Sequence, residues 1–355
     1  MQCKLNDPDK LSNIKGLAYR IDGKIIVNER RKPIMKLDQI PFPAWDLFPM
    51  DKYTSCLKFP GMKAGDKSLA VLTTRGCVNK CSFCHRMESG IRVRSVENII
   101  EELNILHSSF GVNYIFFADE LTVVSKKQIL EFARAINEAK LDIMYRMDCR
   151  VDVFDEDIAK ALRGSGCVFL NIGFESTDQD VLDMLDKKVT VEQNICAAEI
   201  ANKYEIGVGL NFIWDLPGDS EKSLNDNAKF IKKYNLYDQI RTIRPVSPYP
   251  GSPLYYEAIK RSLLKGPEDF FDRFKNADLY MVNFMDIPAD EIYQMLFEVN
   301  KDLILDHYEH TTKDMVKANQ LMDSFYNLYF NSEHTFNGPR HAVSGADVRR
   351  NIKRN

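Results

Sequence analysis

The 355-residue sequence is 45% hydrophobic and 28% charged, with a formal charge of −3; this suits one large globular domain or two ordinary ones and leaves no chain-wide basic footprint for nucleic acid. No apolar run reaches bilayer length, and the opening MQCKLNDPDK lacks the continuous apolar core of a signal peptide, so the expected location is the cytoplasm, with no membrane partner. Eight cysteines in a chain of this size are not a disulfide scaffold, and in a reducing compartment a local cluster of them reads as metal-binding or catalytic.

Residues 1–66 mix short apolar runs with turn signals. GLAYRIDGKIIVNERR reads as a hairpin around Asp22-Gly23, and IPFPAWDLFP as a proline-punctuated extended segment, together a leader rather than a domain. From residue 67 to 254 short apolar runs alternate with helix-length amphipathic segments, the signature of a parallel sheet. The expected strands are Leu69–Thr73, Tyr114–Phe117, Ile143–Met147, Val168–Ile172, Val208–Ile213 and Ile240–Ile243. Ser95 precedes Val96, Ile99, Ile100 and Leu103 at helical spacing, and Ser125/Gln128 and Thr190/Gln193 have capping-box spacing. Six right-handed strand-plus-helix units predict an α/β fold, a partial (β/α)6 barrel of the TIM type, with functional residues where strands end. Residues 255–330 carry long helical patterns, including a stripe of Ile292, Leu296, Val299 and Leu303. This C-terminal helical extension is expected to cover the barrel mouth, and residues 331–355 read as a polar, flexible tail.

The segment RGCVNKCSFCHR, residues 75–86, places Cys77, Cys81 and Cys84 within eight positions directly after the first expected strand. Three thiolates this close can wrap one metal centre while the loop amides point at them. A [4Fe-4S] cluster held by three cysteines keeps one iron without a protein ligand. Structural zinc held by the same three cysteines and His85 is the alternative, disfavoured because Cys84 and His85 are adjacent and the usual zinc pattern is two separated pairs. His85 itself reads first as a pocket or core residue.

Cys77-x3-Cys81-x2-Cys84 on the loop after the first strand of a six-unit barrel resembles the radical S-adenosylmethionine (SAM) enzymes, over roughly residues 40–310. The resemblance implies that the three cysteines hold the cluster and that the amino and carboxylate groups of SAM chelate the fourth iron. Reductive cleavage then gives methionine and a 5′-deoxyadenosyl radical. It implies an adenine contact at Phe83 and a methionine-amino contact at the end of the second strand. There Ala118-Asp119-Glu120 departs from the family's Gly-Gly-Glu-like turn and leaves Asp119 and Glu120 both as candidates, with a capping role as the alternative for Asp119. In VFLNIGFES, Asn171, Glu175 and Ser176 end the fourth strand, and Glu175 is the better ribose contact because a carboxylate accepts from vicinal hydroxyls. Asn211 lies inside an apolar strand, where an unpaired amide would cost about 1–3 kcal/mol, so it must have a partner, either cofactor or neighbouring backbone. Arg241 and Arg244 are an odd number of residues apart and face opposite ways on a strand. Arg244 is taken as the cofactor- or substrate-facing one, against a surface salt bridge.

The order of the leader and the IPFPAWDLFPMDKY segment resembles most closely the subgroup in which a cobalamin-binding domain precedes the barrel. No strand-helix domain of sufficient length precedes it in this sequence, and the Asp-x-His-x2-Gly cobalamin motif is absent. Cobalamin is therefore expected only from a separate cobalamin-binding subunit or from a part of the protein missing from this chain. The expected partners are a small-molecule or peptide substrate and an electron donor such as flavodoxin or ferredoxin. A tRNA-modifying relative should carry a second cluster domain and a basic RNA-binding module, neither visible here. A non-catalytic metal-binding protein with a structural zinc or iron–sulfur site is the remaining alternative.

Overall fold

A computed structural model of the chain describes residues 8–59, 61–86, 88, 90–274, 279, 282–285 and 287–331 and divides into two compact units, Met1–Ile40 and Pro41–Asn355. Of the expected tail only Asn331 lies inside the described residues. The expected boundary at residue 66 and the division at Ile40 differ: residues 41–66 belong to the larger unit.

The smaller unit contains the expected hairpin. Ala18–Ile21 and Lys24–Val27 pair antiparallel through Asp22 and Gly23, whose φ values of 47° and 78° belong to the turn that matches strand twist. Asn28 donates its amide to the Leu11 and Ile14 carbonyls at 2.7 and 2.8 Å.

In the larger unit the barrel strands are β1 Ser68–Val71, β2 Tyr114–Phe117, β3 Met144–Cys149, β4 Cys167–Glu175, β5 Gly207–Trp214 and β6 Arg244–Pro245. They lie in one parallel sheet in sequence order, curled into a six-stranded half-barrel. Period-two alternation sets the two faces. On β3, Tyr145, Met147 and Cys149 are fully buried among the helices, whereas Met144, Arg146 and Asp148 are half-buried on the inner face. The crossover helices are capped as their sequences require. Ser95 accepts from the Asn98 amide and the helix Val96–Phe110 ends on Gly111 at φ 68°, a left-handed stop that a glycine adopts without penalty. Thr190 and Gln193 form the full reciprocal capping box. Ser125 accepts from the Gln128 amide, but the Gln128 side chain turns instead to the Val124 amide at 3.3 Å.

The sixth strand is shifted and shorter than expected. Ile240–Ile243 forms no strand, because the Asn300 side chain takes the Ile243 N–H at 2.8 Å and the Ile243 carbonyl at 3.0 Å. One amide thus replaces the ladder that a strand neighbour would supply. The helix Ala289–His310 that carries Asn300 buries the expected stripe Ile292, Leu296, Val299 and Leu303. It packs on the helices Glu221–Tyr234 and Met315–Phe330. The helix Pro253–Lys260 touches the cysteine loop, where the Leu254 amide donates to the Ser82 carbonyl at 2.8 Å. Among the described residues no helix is long and apolar enough to cross a membrane.

One position after β5 works against stability. Asp215 is fully buried at φ 68°, and neither carboxylate oxygen has a hydrogen-bond partner among the described residues. Burial pushes its pKa from 3.8 up to about 9, against an opposing pull from the nearby Phe284 N–H, which lies outside hydrogen-bond geometry. The acid stays protonated in the fold while the unfolded chain ionises. Its contribution to stability is therefore full below pH 3.8 and is lost as pH rises through about 9. Asp215→Gly relieves both the left-handed backbone and the unpaired acid, and urea unfolding at pH 7 is expected to show a gain of about 1–3 kcal/mol. The variant should also lose part of the decline in stability from pH 4 to 9; equal stability at every pH would contradict this reading.

Candidate iron–sulfur and cofactor site

The C-terminal ends of the strands enclose a cavity of about 400 Å³ whose lining includes Cys77, Cys81, Phe83, Cys84, Asp119, Glu120, Glu175 and Asn211. All but one of the nine residues expected to hold the metal or the cofactor thus line one cavity. Arg244 is the exception: it lies on β6 and outside this lining. Of the two arginines it is Arg241 that is buried, held by Asp238 at 2.8 Å and by the Val208 carbonyl.

The cysteine loop is shaped by its own backbone. Gly76 sits at φ 82°, where a Cβ would fall 2.4 Å from the Gly90 carbonyl, so only glycine fits. The Ser82 amide donates to the Leu185 carbonyl at 2.8 Å and the Cys84 amide to the Cys81 carbonyl at 3.2 Å. Cys81 is buried, Cys77 half-buried and Cys84 exposed toward the cavity. Burial raises the Cys81 thiol pKa against the pull of Lys187 and Arg150. Desolvation, together with the neighbouring Cys81 and Cys77 thiols, pushes Cys84 up to about 11. Two sulfurs receive N–H donors: Asn79 Nδ2 reaches Cys77 Sγ at 3.4 Å, and Arg150 Nη1 reaches Cys81 Sγ at 3.6 Å.

The donor set fits a cluster better than a single ion. Among the described residues no three His, Cys, Asp or Glu side chains are grouped closely enough to hold one metal ion, so the sulfurs border the cavity without enclosing a tetrahedron. His85 is exposed and packs on Gly251, where a Cβ would come within 2.9 Å of its Nδ1. Thiolates spread around one cavity and backed by N–H donors are what a polynuclear iron–sulfur group takes.

The two acids after β2 separate. Asp119 accepts from the Thr73 and Thr74 amides at 2.8 and 2.9 Å and from the Thr73 hydroxyl at 2.5 Å. It thereby ties the end of β2 to the end of β1, a role other than capping the turn that follows it. Glu120 borders the cavity with its side chain exposed.

Glu175 adopts φ 63° at a register shift between β4 and β5. Its carboxylate folds back over Gly173, where a Cβ would lie 2.1 Å from Oε1. Lys187 Nζ meets Glu175 Oε1 at 2.6 Å and the Gly173 carbonyl at 2.7 Å, both side chains being buried. A left-handed non-glycine residue held by a buried ion pair at a cavity wall is the kind of local strain that accumulates at functional sites.

Asn211 has the partners its strand position demands. Its amide donates to Asn171 Oδ1 at 2.8 Å and to the Ile172 carbonyl at 3.0 Å, and Asn171 Nδ2 donates to Asp148 Oδ1 at 2.6 Å. Gly209 opens the space, since a Cβ there would sit 2.7 Å from Asn171 Oδ1. Burial raises the Asp148 pKa to about 6, opposed by the Asn171 hydrogen bond and the Arg146 charge. Asp148, Arg150 and Lys187 were not singled out in the sequence. The alternation of Arg146, Asp148 and Arg150 on one strand face is the signal that could have found the first two.

The Radical SAM superfamily model matches residues 71–231, from the last residue of β1 to beyond the end of β5. An uncharacterized methyltransferase of Pyrococcus horikoshii is 36% identical over 258 residues, 72% of this chain and 54% of the relative. The anaerobic magnesium-protoporphyrin IX monomethyl ester cyclase of Rubrivivax gelatinosus is 27% identical over 250 residues, 69% of this chain and 43% of the relative. The chain thus spans about half the length of the curated relatives it matches. The cobalamin-dependent S-adenosylmethionine radical enzyme OxsB superposes with a TM-score of 0.61 at 16% identity, over 91% of this chain and 54% of that one; this likeness concerns the fold. The matched segment carries the cysteine loop and the whole of strands β2–β5, and this segment of the chain belongs to the radical SAM superfamily.

Proposed function

We propose that this chain is the barrel of an enzyme that cleaves SAM reductively and uses the resulting radical on a small-molecule substrate. The observation that carries the reading is the convergence of Cys77, Cys81 and Cys84 on the cavity that Phe83, Glu120, Glu175 and Asn211 also line. Cys77, Cys81 and Cys84 would each hold one iron of a [4Fe-4S] cluster, leaving the fourth iron to the cofactor's amino and carboxylate groups. When bound, that group supplies the electron that breaks the sulfonium, yielding methionine and a 5′-deoxyadenosyl radical that takes hydrogen from the substrate.

The chain's own residues bind and orient. Glu120, whose side chain is exposed at the cavity, is the proposed acceptor for the methionine amino group, while Asp119 holds the Thr73 and Thr74 donors. Glu175, fixed by Lys187, is the proposed acceptor for ribose hydroxyls, and Asn211, fixed by Asn171, borders the same space. Phe83 lines the cavity and packs against the second hydrophobic cluster around Leu216, Val246 and Leu254, which suits a stacking contact with adenine.

Methyltransferases and cyclases among the relatives favour methylation or a rearrangement as the substrate step, with cobalamin supplied by a separate subunit or another part of the protein if methyl transfer uses it. The reductant is proposed to be a flavodoxin or ferredoxin. The test is anaerobic incubation of the iron- and sulfide-loaded protein with dithionite and SAM, followed by chromatography of the products. Methionine and 5′-deoxyadenosine are expected in equal amounts. A fully loaded cluster that yields neither would overturn the proposal.

A further inference from the structure

Among the described residues, Cys81 is the one of the three cysteines with a cationic donor fixed against its sulfur. Arg150 follows β3 directly, and its side chain is only 12% exposed. Its fork is immobilised on two sides. Nε and Nη2 donate to the two oxygens of Asp152 at 2.9 and 3.1 Å, and Nη2 also donates to the Lys187 carbonyl at 2.7 Å. This leaves Nη1 directed at Cys81 Sγ at 3.6 Å. The other two sulfurs differ: Cys77 receives only the neutral amide of Asn79, and the Cys84 thiol points at the His85 carbonyl, itself an acceptor.

We propose that Arg150 is a positioning and tuning residue that raises the reduction potential of the cluster by donating a charge-assisted hydrogen bond to the sulfur of Cys81. This rests on the cysteine assignment proposed above. Reduction adds one electron, drawn from a low-potential one-electron donor, to a cluster whose charge spreads onto its thiolate sulfurs. An N–H donor and a fixed positive charge at one of those sulfurs stabilise the more negative, reduced state, so the potential rises. Asp152 offsets part of the charge, but its carboxylate engages the opposite edge of the guanidinium and holds Nη1 directed at the sulfur, closer to it than the carboxylate is. The Lys187 carbonyl links the same fork to the segment that carries the Glu175 partner, so the cluster-tuning and cofactor-binding groups share one anchor.

The experiment is a potentiometric titration followed by electron paramagnetic resonance on wild type, Arg150→Lys and Arg150→Met, with iron and sulfide counted in each. At a fixed poise the ratio of reduced to oxidised cluster is expected to fall about tenfold in Arg150→Met, a shift of about 59 mV for a one-electron couple, and by less in Arg150→Lys. A merely structural role would lower cluster occupancy without moving the potential of the clusters that remain. Fully loaded Arg150→Met at the wild-type potential would overturn the inference while leaving the cysteine assignment intact. If the variants load poorly, the wild-type protein decides alone: with 15N-labelled arginine guanidinium, the reduced cluster should show a nitrogen hyperfine coupling, and its absence overturns the inference. A wild-type protein that takes up no cluster defeats the cysteine assignment itself.

Discussion

Cys77→Ala, Cys81→Ala or Cys84→Ala is expected to leave a folded barrel that loses essentially all cluster iron after anaerobic reconstitution, and with it all production of 5′-deoxyadenosine. The fold should survive because the loop is tied by backbone bonds that alanine keeps: Ser82 to Leu185, Cys84 to Cys81 and Leu254 to Ser82. Only Cys81 of the three is buried, and its sulfur neighbours are Arg150 and the cavity. Truncation there removes a small side chain at a rim and costs about 1–2 kcal/mol at most. Circular dichroism and iron analysis together separate the two effects. A single-cysteine variant that retains full iron and cleaves SAM would remove that cysteine from the ligand set.

Lys187→Met is expected to destabilise the protein by about 3–5 kcal/mol, because it leaves the Glu175 carboxylate buried without its counter-charge. The pair is shielded, with side-chain exposures of 5% for Lys187 and 9% for Glu175, and its 2.6 Å contact is reinforced by the Gly173 carbonyl. Glu175 cannot easily swing away, since it is held at φ 63° over Gly173. The double variant Lys187→Met/Glu175→Gln should recover most of the loss, as a neutral amide in the same place carries no charge to desolvate. Urea unfolding of the two single variants and the double variant measures the coupling. A single-variant cost below about 1 kcal/mol would mean that water reaches Glu175 and that the pair is a surface ion pair in energetic terms.

Much of this architecture could be read from the chain where local and long-range signals agree. Tyr114–Phe117 is a strand in both readings, since an apolar run bounded by the Gly111 helix stop and the polar Asp119 has one way to be buried. The cysteine spacing and the acids at 119–120 and 175 gathered around one cavity because strand ends in a parallel barrel necessarily meet. The sixth strand could not be placed the same way. Its apolar Ile240 and Ile243 look like strand residues, but the partner that satisfies Ile243 is Asn300, 57 positions away on a later helix.

The missed site residues have similarly specific causes. Ending the third strand at Met147 stopped short of Arg150, although β3 runs to Cys149 and delivers Arg150 to the cavity. Lys187 and Lys188 are indistinguishable in a run of two lysines, yet the helix end buries one at 5% exposure and leaves the other at 77%. Arg241 rather than Arg244 is the buried arginine because Asp238, three residues earlier, pairs with it inside the barrel.

The most direct measurement of the central claim is electron–nuclear double resonance on the anaerobically reconstituted, reduced wild-type protein with SAM labelled with 15N at the amino group and 17O at the carboxylate. Three thiolates on one cavity wall predict a [4Fe-4S] cluster with one iron open to the cofactor, and hence hyperfine couplings from both labels. A fully assembled, reduced cluster that shows neither coupling would contradict the account, because every iron would then be closed by the protein or by solvent.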